Sequence, residues 1–163
     1  MSHYLIASVP IHGHVSPLLA VAAGLVARGH TVRFLTGARF SEVVERTGSA
    51  FVALPEEGDY DDRLLASANE DRPSGLAGLR YDVAESFLAP ARPQYDALTG
   101  LVGPDQPSVD AVIVDPAFVG ALLLAALPAG DRPPVVVGGV LPLTLSSPAV
   151  RLLALGSSPG QGP

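Results

Sequence analysis

The amino-terminal third of the chain alternates short apolar runs with segments of helical periodicity. The runs 4–9, 31–36 and 51–54 are bounded by turn-forming residues, which is typical of strands buried on both faces. Between them, 17–29 and 39–48 carry apolar residues at helical spacing, and each ends in a glycine region. This order of strands and helices predicts a doubly wound parallel sheet.

The first of these helices has a recognisable start. Ser16 is the predicted N-cap and Pro17 the predicted first helical residue, because proline lacks the N–H that the first turn leaves unpaired. Gly13 is expected to let the backbone turn tightly off the first strand. The stretch "VPIHGHVSPLL" is therefore predicted to be a loop that enters a helix at residue 17.

The pattern continues through the rest of the chain. The predicted elements are a surface segment at 55–75 that we expect to be mobile, a helical region at 76–101 interrupted near Pro90 and Pro93, strands at 110–115 and 133–140, and an apolar helix at 117–127. From Leu141 onward the composition shifts to Ser, Pro and Gly. We expect one domain over 1–145 and a tail or truncated linker over 146–163.

Composition narrows the possible functions. The chain has 163 residues, 48% of them hydrophobic, which fits one domain with a real core. All ten basic residues are Arg against 16 acidic residues, and no basic stripe argues for nucleic acid as a partner. The chain has no Cys, which excludes disulfides and thiolate chemistry. No apolar run predicts a membrane span, no basic leader opens the chain, and we expect a cytoplasmic protein.

The candidate catalytic residues follow the ends of predicted strands. His12 and His14 follow the first strand, and Asp115 ends the fourth. Open parallel sheets bind ligands outside the carboxyl ends of their strands, so these side chains are expected at one edge. An imidazole can take a proton near neutral pH, and a carboxylate on its other nitrogen fixes its tautomer. The sequence therefore contains the parts of a His/Asp dyad.

Other interpretations of the same residues remain open at this level. The histidines can serve only as hydrogen-bonding residues at helix entry, and Asp115 can be a simple N-cap with Pro116 as the first helical residue. A metal site would need His12, His14 and Asp115 together, although a separation of two residues suits a strand better than a loop. Dinucleotide, P-loop and serine-hydrolase motifs are absent from the sequence. We predict no metal and no bound cofactor.

Three stretches carry a family resemblance. "GHVSPLLAVAAGLVARGHTVRFLT" resembles the opening of GT-B glycosyltransferases of the UDP-glycosyltransferase type (family 1), especially bacterial enzymes that glycosylate macrolides and other natural products. The resemblance continues through "FSEVVERTGSAFVALP" and through "VDAVIVDPAFVGALLLAALPAGDRPPVVVGGVLPL". It covers roughly residues 3–145. It implies an α/β, Rossmann-like fold, the N-terminal, acceptor-binding half of a GT-B enzyme.

The resemblance also implies a mechanism and partners. His14 matches the family's catalytic base and Asp115 its orienting acid, in an inverting transfer of a hexosyl group from a nucleotide sugar to a hydroxyl of a lipophilic small molecule. The implied acceptor-binding residues are His12, Phe87, Leu88, Phe118 and Leu141. The nucleotide sugar is expected as co-substrate, bound mainly by a C-terminal donor domain that has no counterpart in this sequence, or by a second chain.

Two consequences of that missing domain are expected. The first is that the interdomain face is uncovered, which predicts self-association. The second is an alternative function, a non-catalytic remnant that binds a small molecule and transfers nothing.

Overall fold

Parallel strands form the sheet at the centre of the protein. The computed structural model describes residues 1–61 and 73–139, and within these ranges the sheet has five strands: β1 His3–Ala7, β2 Thr31–Thr36, β3 Ala50–Ala53, β4 Ala111–Val114 and β5 Val135–Val137. Their order across the sheet is β3-β2-β1-β4-β5, with every neighbouring pair parallel. The chain builds outward from β1 to one edge and then crosses to β4 on the other side. The strand order therefore reverses between β1 and β4, which confirms the predicted doubly wound sheet.

Helical segments cover both faces of this sheet. They are α1 His12–Val26, a 3₁₀ turn Ala38–Phe40, α2 Ser41–Glu45, a 3₁₀ turn Glu56–Gly58, α3 Gly75–Val83, a π-helical turn Ala84–Leu88, α4 Ala91–Val102 and α5 Gly120–Ala125. The predicted interruption at Pro90 is confirmed, since α4 begins directly after it, and Pro93 lies in the first turn of α4. None of the helices in the described ranges is long and apolar enough to cross a membrane.

The start of α1 differs from the prediction. The helix begins at His12, with Ile11 in extended conformation before it, and Pro17 lies inside the helix. The N–H groups of His14 and Val15 both donate to the Ile11 carbonyl, at 2.9 and 3.0 Å, so the first turn is closed before Pro17 is reached. The predicted N-cap at Ser16 and first residue at Pro17 are therefore wrong.

The glycines predicted to end helices do so, whereas Gly13 does not form the tight turn predicted for it. Gly29 and Gly48, which follow α1 and α2, both have φ of +81°, the left-handed conformation that ends helices at little cost for glycine. Gly13 lies in the first turn of α1 and is not among the residues with positive φ. The predicted tight turn at Gly13 is not formed, because α1 has already begun.

The core lies in two layers, one on each side of the sheet. Alternate residues of β1 enter opposite layers: Ile6 packs towards α1 and α2, whereas Leu5 and Ala7 pack towards α4 and α5. All three side chains are fully buried. Apolar side chains thus cover both faces of β1. Polar side chains that could bind or react with a ligand are accordingly expected at the edge where the strands end.

Close packing fixes α5 against α4. A Cβ added at Gly120 would lie 2.5 Å from Gln94 Cβ and 2.6 Å from the Tyr95 backbone nitrogen, so no side chain fits between the helices. The Gly120 N–H also donates to the buried Gln94 Oε1 at 3.1 Å. The predicted helix 117–127 is accordingly shorter, and residues 116–119 form the turn that follows β4.

Candidate active site at the carboxyl edge of the sheet

Asp115 anchors the candidate site. It directly follows β4, whose Val114 is paired with Ala7 of β1, and its side chain is fully buried. One carboxylate oxygen, Oδ2, accepts the Val9 N–H at 2.8 Å, and the other, Oδ1, accepts the Ala117 N–H at 2.7 Å. Asp115 therefore ties the end of β1 to the turn after β4, and its buried charge is compensated by hydrogen bonds.

His14 is held by the same carboxylate. Its Nδ1 lies 3.0 Å from Asp115 Oδ1, and its side chain is 12% exposed. Because an ionised carboxylate can only accept, Nδ1 carries the proton and donates it. That tautomer leaves a lone pair on Nε2, which has no hydrogen-bond partner within residues 1–61 and 73–139. The Asp115 carboxylate orients the ring through Nδ1, and the Nε2 lone pair on the other side of the ring is available to accept a proton.

The position of His14 comes from the first turn of α1. Its backbone N–H is bonded to Ile11, just beyond the Val9 N–H that Asp115 accepts. The histidine and its partner are thus joined twice, once through the ring and once through the chain. Such an arrangement can take a proton from a bound hydroxyl and stabilise the imidazolium that results. The structure brings together the two residues that the sequence predicts as a dyad.

The alternative interpretation of Asp115 as a simple N-cap describes only part of what its side chain does. Oδ1 does accept the N–H of Ala117, two residues further on, as Asp side chains do in Asx turns. However, α5 begins at Gly120 with Val119 before it, so Asp115 is not an N-cap and Pro116 is not a first helical residue. The same oxygen serves both the local turn and the His14 ring.

His12 faces away from the dyad. Two residues along an α-helix correspond to a rotation of about 200°, which separates the two histidine side chains. The His12 Nε2 lies 3.3 Å from Ser16 Oγ, and the ring lines a groove of about 410 Å³ together with Arg39 and Phe40. In the described part of the chain no group of three His, Asp or Glu side chains is placed to hold a metal ion.

The other predicted acceptor residues lie in different environments. Phe118 is 1% exposed in the core and lines an apolar cavity of about 140 Å³ that also touches Asp115. Phe87 is half-buried and Leu88 is 56% exposed, both in the π-helical turn, which the sequence did not predict. Leu141 and residues 62–72 of the predicted surface segment lie outside the described residues. Acceptor binding by these residues stays a prediction.

Arg39 and Gly37 also lie at this edge of the sheet, although no local sequence pattern points to them. They follow β2, the other neighbour of β1, at the same edge of the sheet. Arg39 donates from Nη2 to the Pro10 carbonyl at 2.5 Å, within the turn that leads into α1. The rule that selected Asp115, a polar residue directly after a strand beside β1, does not select Arg39, because Gly37 and Ala38 separate it from the end of β2.

A match to a known sequence family accompanies this fold and site. Residues 12–112, more than half of the chain, match the glycosyltransferase family 28 N-terminal domain, and the chain belongs to that family. The predicted membership of the GT-B glycosyltransferases is thereby confirmed, with a domain description of family 28 and sequence relatives named as UDP-glycosyltransferases.

Individual relatives agree with this assignment. The chain is 33% identical to UDP-glucosyltransferase B1 of Starmerella bombicola, over 85% of the chain and 33% of the relative. It is 34% identical to 4'-demethylrebeccamycin synthase of Lentzea aerocolonigenes, over 72% of the chain and 28% of the relative. Among solved structures, CalG4, the calicheamicin glycosyltransferase, superposes with a TM-score of 0.61 at 25% identity, covering 97% of the chain and 38% of CalG4. The chain spans about a third of the length of these relatives.

Proposed function

We propose that the chain is the acceptor-binding part of an inverting glycosyltransferase, which transfers a hexosyl group from a nucleotide sugar to a hydroxyl of a lipophilic small molecule. The observation that carries the proposal is the contact between His14 Nδ1 and Asp115 Oδ1 at 3.0 Å, at the point where the strand order of the sheet reverses. The family of the chain supports the type of reaction.

In this mechanism His14 is the general base. Its Nε2 takes the proton of the acceptor hydroxyl as the oxygen attacks the anomeric carbon. The bond between that carbon and the diphosphate breaks, the nucleotide leaves with the electron pair, and the configuration is inverted. General base catalysis contributes typically 10²- to 10⁴-fold, and positioning of the two substrates contributes the rest.

Asp115 supports each stage of this proton transfer. Before reaction it keeps the proton on Nδ1, and afterwards it faces the imidazolium with a buried negative charge. Because its two oxygens also accept the Val9 and Ala117 N–H groups, the carboxylate cannot rotate away from the ring without breaking backbone contacts. The base is therefore held in place before substrate arrives.

Apolar surface beside the dyad suits a lipophilic acceptor. The cavity lined by Phe118 and Leu122 touches Asp115 and is almost entirely apolar in its lining. We assign the acceptor to this side of the dyad, with Phe87 and Leu88 as further contacts, and the nucleotide sugar to a donor part outside these 163 residues. The greater length of the relatives supports a separate donor part.

The test is reconstitution of transfer. The purified chain is mixed with the carboxyl-terminal part of UDP-glucosyltransferase B1, UDP-glucose and a panel of hydroxylated apolar acceptors, and products are measured by mass spectrometry. We expect transfer with the wild-type chain and a loss of 10²-fold or more with His14→Ala.

His30→Gln is the matched control for the histidine. His30 accepts the Ser2 N–H and packs edge-on against Tyr4 at the opposite edge of the sheet, away from the dyad. This variant should transfer at the wild-type rate. Equal rates for wild type and His14→Ala would refute His14 as the base, and no transfer with any acceptor would count against the proposed function.

A further inference from the structure

The turn between β1 and α1 is held by side chains from two directions. On one side, Asp115 Oδ2 accepts the Val9 N–H; on the other, Arg39 donates to the carbonyl of Pro10, the next residue. The turn leads directly to Ile11, whose carbonyl accepts the His14 N–H. We propose that Arg39 is a positioning residue for His14, acting through the Pro10 carbonyl.

Several contacts hold the Arg39 guanidinium in place. Besides the Pro10 carbonyl, it pairs with the Asp61 carboxylate and stacks on the Phe40 ring, with Cζ 4.6 Å from the ring centroid. Phe40 is itself 7% exposed and packed in the core layer that includes α1. A planar guanidinium can stack and donate in fixed directions at once, which an ammonium cannot. The position of the donor is thus set by the core and not by the turn that it holds.

Gly37 completes the contact from the backbone side. A Cβ at this residue would lie 2.6 Å from Pro10 Cβ and closer still to Asp59 Oδ1. Asp59 Oδ2 meanwhile accepts the Ala38 N–H at 2.8 Å. The turn after β2 therefore packs directly against Pro10, and Arg39 reaches the Pro10 carbonyl from that packed turn. We name the contact of Gly37 and Arg39 with Pro10 the Pro10 clamp.

The Pro10 clamp predicts a local effect on His14. If the turn is released on the Arg39 side, α1 keeps its core contacts through Val15 and Leu18, but its first turn opens more often. Each opening separates His14 Nδ1–H from Asp115 and exposes the proton to solvent. The clamp therefore acts on the ring hydrogen bond without being needed for the fold, and its catalytic consequence rests on the proposed function.

The experiment measures solvent exchange of the His14 Nδ1–H proton by ¹⁵N NMR on the chain itself, with the signal assigned by its loss in His14→Gln. In Arg39→Gln we expect exchange to accelerate by about tenfold, with a cooperative thermal transition retained. Arg39→Lys should also accelerate exchange, because it keeps the charge without the planar fork. If Arg39→Gln does not fold, the exchange rate in Arg39→Lys tests the proposal instead.

Two control variants separate the clamp from general destabilisation. Arg46→Gln removes another arginine, which pairs with Glu42 on the surface of α2, and should leave exchange at the wild-type rate. Val32→Ala creates a core defect in β2 remote from the turn, and should lower the unfolding midpoint with little effect on His14 exchange. Wild-type exchange in a folded Arg39 variant, or equal acceleration in Val32→Ala, would overturn the proposal.

A kinetic measurement links the clamp to the reaction. In the reconstituted enzyme, Arg39→Lys should lower kcat and leave KM for the nucleotide sugar unchanged, because Arg39 contacts neither reacting atom. If the wild-type mixture transfers nothing, the proposed function fails while the exchange data still decide the clamp. If transfer occurs and kcat of a fast-exchanging Arg39 variant is unaltered, the positioning role in catalysis is refuted.

Discussion

Asp115 Oδ1 and His14 Nδ1 lie 3.0 Å apart although the two residues are 101 positions apart in the chain. They meet because β1 and β4 are neighbours in the sheet, because Asp115 directly follows β4, and because His14 lies in the first turn of α1, the helix that follows β1. The strand order reverses at this pair of strands, so the edge opens into a crevice there. The sheet topology thus accounts for the location of the dyad.

Two substitutions at Asp115 should separate its roles. Asp115→Ala leaves the buried Val9 N–H and the partly buried Ala117 N–H without their acceptor, and we expect a loss of about 2–4 kcal/mol in the free energy of unfolding. Asp115→Asn keeps an acceptor oxygen and should cost less, yet it removes the charge that fixes the His14 tautomer. We expect transfer to fall by about 10²- to 10⁴-fold in Asp115→Asn.

Urea unfolding and the reconstituted transfer assay measure these two effects. Asp96→Asn is the control, since Asp96 forms an exposed pair with Arg92 on α4, where its hydrogen bond raises the pKa of Arg92. That variant should match the wild type in both measurements. If Asp115→Ala and Asp115→Asn were equally stable, the backbone contacts of the carboxylate would contribute nothing.

Pro17→Ala tests where α1 begins. Pro17 is exposed, lies inside α1 and has no N–H to donate to the Gly13 carbonyl, so alanine should add a hydrogen bond with little loss of packing. We expect the free energy of unfolding to rise by about 1–3 kcal/mol, measured by urea denaturation. If the helix began at Pro17 instead, proline would be favourable there and the substitution would bring no gain.

The sequence predicted those features of the fold that depend on local pattern. The apolar run of β1 and the helical spacing after it indicated a strand buried on both faces, and Leu5, Ile6 and Ala7 are fully buried. The start of α1 was misplaced because Ser16 and Pro17 form a strong local signal, whereas Ile11 provides no side-chain cap. Contacts made elsewhere in the fold, through Asp115 and Arg39, outweigh that signal.

The residues of the site likewise divide into those that a local sequence pattern predicts and those that it does not. His14 and Asp115 could be found from the sequence because Asp115 ends an apolar run and His14 lies in the short polar segment between the first apolar run and the helical pattern that follows it. Arg39 lies on a 3₁₀ turn, and its role depends on Pro10 and Asp61, which it meets only in three dimensions. A charged residue in a surface turn gives no local sign of such contacts. The relation between Gly120 and Gln94 was missed for the same reason.

Substitutions at two glycines should distinguish packing from backbone freedom. In Gly120→Ala the new Cβ would meet Tyr95 N at 2.6 Å and Ala91 O at 2.8 Å, and separating α4 from α5 should cost about 1–3 kcal/mol. In Gly100→Ala, within α4, a Cβ meets nothing within 4 Å, and stability should rise by about 0.5–1 kcal/mol. Both changes are measured by urea unfolding, and the same sign for both would contradict the close packing at Gly120.

The predicted acceptor residues should divide into a core residue and a contact residue. Phe118→Ala enlarges the cavity beside Asp115 and should lower the free energy of unfolding by about 3–5 kcal/mol, because Phe118 is 1% exposed. Leu88→Ala, at 56% exposure, should change stability by less than about 0.5 kcal/mol.

The acceptor-binding role of Leu88 should therefore appear in kinetics and not in stability. We expect Leu88→Ala to raise KM for a lipophilic acceptor by about fivefold, since burying part of a leucine side chain contributes on the order of 1 kcal/mol. Leu76→Ala is the control, an equally apolar change at a residue 75% exposed on α3. An unchanged acceptor KM in Leu88→Ala, or an equal rise in Leu76→Ala, would remove Leu88 from the acceptor site.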